Sequence, residues 1–246
     1  MSKSVLILGA TSAIARSTAG AFAAKDYSLY LAGRDLSELE RLASDLKIRY
    51  RTEVRYGAFE AEDYDSHTKF IERVKGEMGG LEGVLLAFGY LGDQQLTARD
   101  SAERVTVIAR NLTGAINLLE PLAAYLEHQG TGFIIGISSV AGDRGRQSNY
   151  IYGSAKGGFT IYLQGLRNRL FRAGVRVMTV KAGFVDTAMT YGMPGLFFVA
   201  PPAYVGEQIL HALEKGHDVT YIPWFWRYIM LVLKVLPESI FKRLKL

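Results

Sequence analysis

Cysteine is missing altogether from the 246 residues. That removes disulfides, thiolate metal ligands and a thiol nucleophile from consideration. Histidine is nearly as scarce, and His67, His128, His211 and His217 show no spacing that would gather a metal ion. The six prolines make no Pro-rich tract, and no repeat, low-complexity stretch or linker divides the chain. No uncharged run approaches the ~20 apolar residues that a bilayer-spanning helix needs. Charge of one sign is also lacking. The net charge is +5, spread along the chain, with no basic stripe of the kind nucleic-acid binding calls for.

What remains is ordinary globular composition, 49% hydrophobic and 22% charged, in a chain long enough for one sizeable core. Met1-Ser2-Lys3 runs directly into an apolar segment, so no signal peptide is expected and the expected compartment is cytoplasmic. Short apolar runs at Val5 to Leu8, Tyr27 to Ala32, Val54 to Phe59, Val84 to Phe88, Phe133 to Ile137, Val175 to Val180 and Val219 to Ile222 read as strands. Helical patterns separate them: to about Lys25, from Asp35, Tyr64 to Met78, Asp100 to about His128, Tyr150 to Arg172 and Pro201 to about Lys215. Asp35 can cap its helix with Glu38 at capping-box spacing, and Leu36, Leu39, Leu42 and Leu46 supply an apolar stripe. Pro121 is expected to interrupt the long helix late. Strands alternating with helices at this spacing predict a single α/β domain with a doubly wound parallel sheet, the Rossmann fold.

Chemistry concentrates between Phe133 and Arg169. An apolar run ends in Ser138-Ser139, a polar loop follows, and Tyr152 and Lys156 then stand one helical turn apart on one face. A phenol titrates near ~10, so proton donation at neutral pH needs a stabilised phenolate, and an ammonium at i+4 supplies part of that. Reaching ~7 asks for roughly 4 kcal/mol, more than one cation provides, so a second positive charge is wanted. At the other end of the chain, Gly9-Ala10-Thr11-Ser12-Ala13-Ile14-Ala15 forms a small-residue turn between the first strand and helix. Backbone N–H groups there can receive a pyrophosphate.

Ser139, Tyr152 and Lys156 in this order resemble the active-site segment of the short-chain dehydrogenase/reductase family. The resemblance, and not strand alternation, selects Ser139 over Ser138. It implies hydride transfer between a nicotinamide dinucleotide and a carbonyl or alcohol, with Tyr152 as proton donor, Ser139 orienting the oxygen, Lys156 on the nicotinamide ribose and Asn111 supporting a proton route. It further implies cofactor contacts from Gly9, Thr11, Ser12, Ala13, Ile14, Glu60, Gly89, Val185 and Thr187. The family's second and third glycines correspond to Ala13 and Ala15. Gly33 stands where members selecting the unphosphorylated cofactor carry an acid, and Arg34 can pair with a 2′-phosphate. NADP(H) is therefore expected in preference to NAD(H), which remains possible.

Residues 188–202, rich in apolar and flexible positions, suit a mobile lid over a greasy substrate or, equally, a subunit contact. Residues 221–246 hold both tryptophans, with Arg227, Lys234, Lys242, Arg243 and Lys245 among apolar residues. Such a segment fits an interfacial element, or one packed on its own sheet or on a neighbouring subunit. The run from Ala87 to Asp93, the Ser138 to Arg144 run and the tail are similar to members of the family that reduce 2-keto sugars carried on a polyprenyl phosphate. A small-molecule or lipid-linked ketone is thus the expected substrate, with peripheral membrane contact through the tail and a homodimer or homotetramer as further expectations. A soluble reductase of a small or acyl-type ketone, and a dinucleotide-sensing module without turnover, are the alternatives.

Overall fold

Leu- and Val-rich segments with no polar face can only be strands of a sheet covered on both sides. The computed structural model, which describes residues 3–193 and 195–244, shows this arrangement. Met1, Ser2, Pro194 of the expected lid, and Lys245 and Leu246 of the tail lie outside the described residues. Strands β1 (Ser4–Leu8), β2 (Ser28–Gly33), β3 (Val54–Ala58), β4 (Gly83–Leu86), β5 (Gly132–Ser139), β6 (Val175–Ala182) and β7 (Val219–Ile222) form one parallel sheet in the order β3-β2-β1-β4-β5-β6-β7. β1 and β4 are buried along their whole length.

Helices cover both faces. One core layer joins the sheet to α1 (Ala13–Ala23), α2 (Leu36–Tyr50) and α8 (Pro202–Glu214) through Phe22, Leu46 and Ile209. The other joins it to α3 (His67–Met78), α6 (Gly114–Gln129) and α7 (Tyr150–Leu170) through Val74, Leu118 and Phe159. Shorter helices complete the chain: α4 (Gln94–Arg99), α5 (Ser101–Ile108), α9 (Trp226–Val235) and α10 (Glu238–Phe241).

Several local expectations need correction. Asp35 does cap α2, accepting from the Glu38 N–H at 3.0 Å. The Glu38 carboxylate, however, turns to Arg16 and Arg41 and leaves the box open on that side. Leu36 is 48% exposed and lies outside the apolar stripe, whereas Leu39 in the same turn is fully buried. Pro121 sits inside α6 without ending it. The break comes earlier, as a π-helical turn at Ala109–Thr113. There the Asn111 side-chain amide donates to the carbonyl of Val107 at 2.8 Å and enters the helical ladder, a known cause of such bulges. The tail, read either as an interfacial element or as one packed on its own sheet or on a neighbouring subunit, folds into α9 and α10. Trp226 and Met230 are buried against Val140, while Trp224, Tyr228, Leu231 and Val235 remain exposed.

Candidate active site

Strand order reverses at β1, which pairs with β2 on one side and β4 on the other. In doubly wound sheets a crevice opens at the carboxyl ends of the strands at this switch point. Here it is a cleft of about 610 Å³ that runs from Arg34 and Glu60, past the start of α1, to Ser139, Tyr152 and Lys156.

At its inner end the two serines of β5 separate by their partners. The Ser138 hydroxyl is committed to α7, 2.7 Å from Thr160 Oγ1 and 3.1 Å from the Lys156 carbonyl. Ser139 accepts from the Ala141 N–H at 3.1 Å, which leaves its own O–H free to donate. The turn after Ser139 lies tight against α7 because small residues meet there. A Cβ on Gly142 would come within 2.6 Å of the Gly157 nitrogen, and one on Gly153 within 2.8 Å of the Ala141 carbonyl. This contact draws Ser139 toward Tyr152 and Lys156.

Tyr152 and Lys156 are both buried, at 9% and 4% exposure. Lys156 donates to the Ile137 carbonyl at 3.0 Å, and its ammonium lies 5.9 Å from the Tyr152 ring centre. Burial lowers the Lys156 pKa to about 8. Burial also pushes the Tyr152 phenol up to about 12, with Ser139 acting in the opposite direction. Lys156, expected to supply only part of the stabilisation, does not by itself draw the phenol down. In this dry pocket, loss of hydration outweighs the one cation at that distance.

Asn111 does not line the cleft. It sits behind Gly89, where a Cβ would come 2.8 Å from Asn111 Oδ1 and 3.3 Å from Lys156 Nζ. Its Oδ1 accepts from the Tyr90 N–H at 3.1 Å, so the side chain fixes the strand-end turn next to the lysine.

At the outer end, Gly9 has φ of +75°, and a Cβ there would stand 2.7 Å from the Phe88 nitrogen. Only glycine allows both the turn and this approach. Ser12 caps α1 through the Ala15 N–H at 3.3 Å. The N-terminus of α1 thus opens into the cleft among Thr11, Ser12, Ala13 and Ile14. Ala15 is fully buried and packs α1 on the sheet. Arg34 Nε lies 4.0 Å from Glu60 Oε2, and both side chains stay partly open to solvent. Across the cleft, Val185 and Thr187 line the wall. Thr190 Oγ1 accepts from the Thr187 N–H at 3.1 Å and donates to the Val185 carbonyl at 2.5 Å.

The chain matches the family model described as short chain dehydrogenase over residues 3–193. It belongs to that family. An uncharacterized oxidoreductase of Mycobacterium tuberculosis is 34% identical over 240 residues, 98% of this chain and 96% of the relative. Another, of Streptomyces coelicolor, is 36% identical over 244 residues, with the same shares. Among solved structures, a short-chain dehydrogenase from Sphingobium yanoikuyae in complex with NADPH superposes with a TM-score of 0.84 at 23% identity, covering 96% of this chain and 97% of that one. An actinorhodin polyketide ketoreductase with NADPH gives 0.82 at 18% identity, with 92% and 97% covered. These two likenesses show the fold that short-chain dehydrogenases share.

Two charged cleft residues of this short-chain dehydrogenase, Arg16 and Arg110, escaped sequence reading. Arg16 lines the Arg34 end, its Nε donating to the Thr11 carbonyl at 2.9 Å and its guanidinium paired with Glu38. It stands one helical turn beyond the Ser12 cap, a spacing that could have flagged it. Arg110 lines the cleft beside Glu62, at 2.5 Å, from within the π turn, and no sequence signal marks it.

Proposed function

We propose that this protein is an NADPH-dependent carbonyl reductase and that Ser139, Tyr152 and Lys156 carry its chemistry. The observation behind this reading is the meeting of a serine hydroxyl, a buried phenol and a buried ammonium at the inner end of one cleft. The residues present fit a dinucleotide. The open N-terminus of α1 suits a pyrophosphate, Lys156 a ribose, and Arg34 with Arg16 a 2′-phosphate at the end where no acid replaces Gly33. NAD(H) fits the same cleft without using those cations.

A nicotinamide held there by Lys156, Val185 and Thr187 would supply the hydride for the carbonyl carbon. Ser139 donates a hydrogen bond to the carbonyl oxygen and fixes its position. Tyr152 donates the proton to that oxygen. Lys156 stabilises the phenolate in part, and an oxidised nicotinamide ring bound beside it would add the second positive charge that Lys156 lacks alone. Asn111 steadies the Gly89–Tyr90 turn beside the ammonium.

For the substrate, we favour a lipid-linked ketone, a 2-keto sugar on a polyprenyl phosphate, as in decaprenylphosphoryl-2-keto-ribose reductase, which the Ala87–Asp93 run and the tail resemble. The support is an apolar rim beside the cleft. Phe197 packs on Phe184 and Trp226, while Phe198, Trp224 and Tyr228 are exposed on the same side, with Arg227 in the first turn of α9. Residues 188–202 then act as the lid, and the rim rests on the inner, cytoplasmic face of a membrane. No helix among the described residues is long and apolar enough to cross one. Exposed Ile161 on the outer side of α7 and exposed Phe171 just past its end suit a homo-oligomer contact.

NADPH oxidation against a ketone panel that includes a prenyl-phosphate keto sugar tests the substrate, and activity confined to small soluble ketones rejects the lipid reading. Sedimentation with anionic liposomes tests the rim. Because Trp226 and Met230 belong to the core, the comparison uses Trp224→Ser and Tyr228→Ser in place of deleting the tail. A soluble ketone reductase is the second reading, favoured by the buried half of α9.

A further inference from the structure

The loop between Ser139 and Tyr152 carries two adjacent charged residues that the reaction above does not use, Asp143 and Arg144. Both are held by the C-terminal part of the chain. The Asp143 carboxylate is almost wholly buried. Oδ1 pairs with Lys181, and Oδ2 accepts from the Tyr221 hydroxyl at 2.7 Å. Lys181 and Tyr221 face each other in the β6–β7 register, and Lys181 is also the register partner of Ser138. The pair therefore fixes the loop to the strands next to the serines. A buried charge pair of this kind contributes little net stability over an apolar one, so its value is in geometry.

Arg144 reaches in the opposite direction. Nη1 donates to the carbonyls of Leu233 and, at 2.7 Å, Leu236, and Nη2 pairs with Glu238 at 2.9 Å. The guanidinium lies 3.7 Å over the Phe241 ring. The last carbonyls of a helix have no partners of their own, and here one fork from the catalytic loop supplies them. The same helix presses Trp226 and Met230 onto Val140, the residue after Ser139. α9 thus meets the loop twice, at Val140 through apolar packing and at Arg144 through its carbonyl end.

We propose that Arg144 is a positioning residue for carbonyl reduction: by clamping the carbonyl end of α9, it holds the turn after Ser139 against α7 and so keeps the serine hydroxyl on the substrate oxygen. The clamp explains why a surface loop carries an arginine only 14% exposed in its side chain with every contact made to the tail. It also makes turnover sensitive to anything that lifts α9 from the body. The proposal rests on the role given to Ser139 above, which Ser139→Ala tests separately.

The test uses the full chain with Arg144→Met and Arg144→Lys. Hydrogen exchange is followed in peptides covering 137–149 and 226–236, and kinetics are measured with the ketone that the panel finds most active. Arg144→Met is expected to raise exchange in both segments and lower kcat about tenfold or more, since small displacements of a reacting group are costly. NADPH affinity should stay within about twofold, because Arg144 is remote from the cofactor end. Arg144→Lys should recover part of the loss, as a point charge can satisfy one carbonyl but not the set. Faster exchange confined to 226–236, or unchanged kcat with both segments loosened, overturns the proposal. Unchanged exchange in both segments overturns it equally. Loss of turnover in Arg144→Met with no activity change in Ser139→Ala would place the failure in the reading of Ser139.

Discussion

Replacing Lys156 by methionine should stabilise the cofactor-free protein while ending its activity. Burial lowers the Lys156 pKa to about 8 from an ordinary 10.5, which disfavours the charged lysine in the folded state by roughly 3 kcal/mol. Methionine keeps the stem that packs beside Phe159 and removes the charge. It also leaves the Ile137 carbonyl, now bonded at 3.0 Å, without that donor, which costs about 1–3 kcal/mol. The net gain at pH 7 is then between about 0 and 2 kcal/mol, at most roughly 4–8 °C in Tm for a domain of this size. Below about pH 8 both folded and unfolded wild type hold the proton, and the penalty is fully present. Between about pH 8 and 10.5 the unfolded chain binds more protons than the folded one, so wild-type stability rises with pH and the gap to the variant closes. Tyr152, raised to about 12, acts in the opposite sense only above about pH 10, so scans at about pH 7 and 9.5 isolate the lysine. A variant less stable at pH 7, with a gap independent of pH, would refute the burial argument.

Other outcomes can be read as directly. Tyr152→Phe should abolish turnover with NADPH affinity nearly intact, since the phenol is the proton donor; residual activity near wild type would remove Tyr152 from that role. Gly33→Asp should shift preference toward NADH: an added Cβ there meets only Leu39, at 3.8 Å, and the carboxylate repels a 2′-phosphate. The ratio of kcat/KM for the two cofactors measures it, and an unchanged ratio counts against Arg34 as the discriminator. Gly183→Ala places a methyl on the Trp226 indole. In a Trp224→Phe background the remaining emission should shift to the red as Trp226 loses its burial, and an unshifted spectrum would show that α9 adjusts without leaving. Met230→Ala, emptying a fully buried site, should cost about 2–5 kcal/mol by denaturant unfolding.

The sheet was legible because its strands are short apolar runs set between helical repeats, and their limits in sequence fall within a few residues of those observed. The cleft was legible for a different reason. Gly9 follows from a local backbone requirement and the Tyr152–Lys156 spacing from one helical turn, whereas family resemblance alone selects Ser139 over Ser138. What could not be read depends on distant partners. Arg144 meets residues about ninety positions away, and Asp143 meets Lys181 and Tyr221 across two strands. The split of α9 into a buried and an exposed face required knowing that Val140 lies beneath it. The balance between burial and the lysine charge at Tyr152 likewise needed the depth of the pocket, which no spacing reveals.

The π turn at Ala109–Thr113 makes the long connection between β4 and β5 a counting problem. A π turn holds one residue more than an α turn, and each residue of an α-helix advances about 100° around the axis. Deleting a single residue, Leu112 for example, would let α5 and α6 merge into one regular rod. Leu118, Leu122 and Leu126 would then rotate off the sheet, or Asn111 would swing away from Gly89 and the ammonium behind it. One extra amino acid thus sets the phase that lets a hydrophobic stripe and a polar anchor on the same rod face different neighbours.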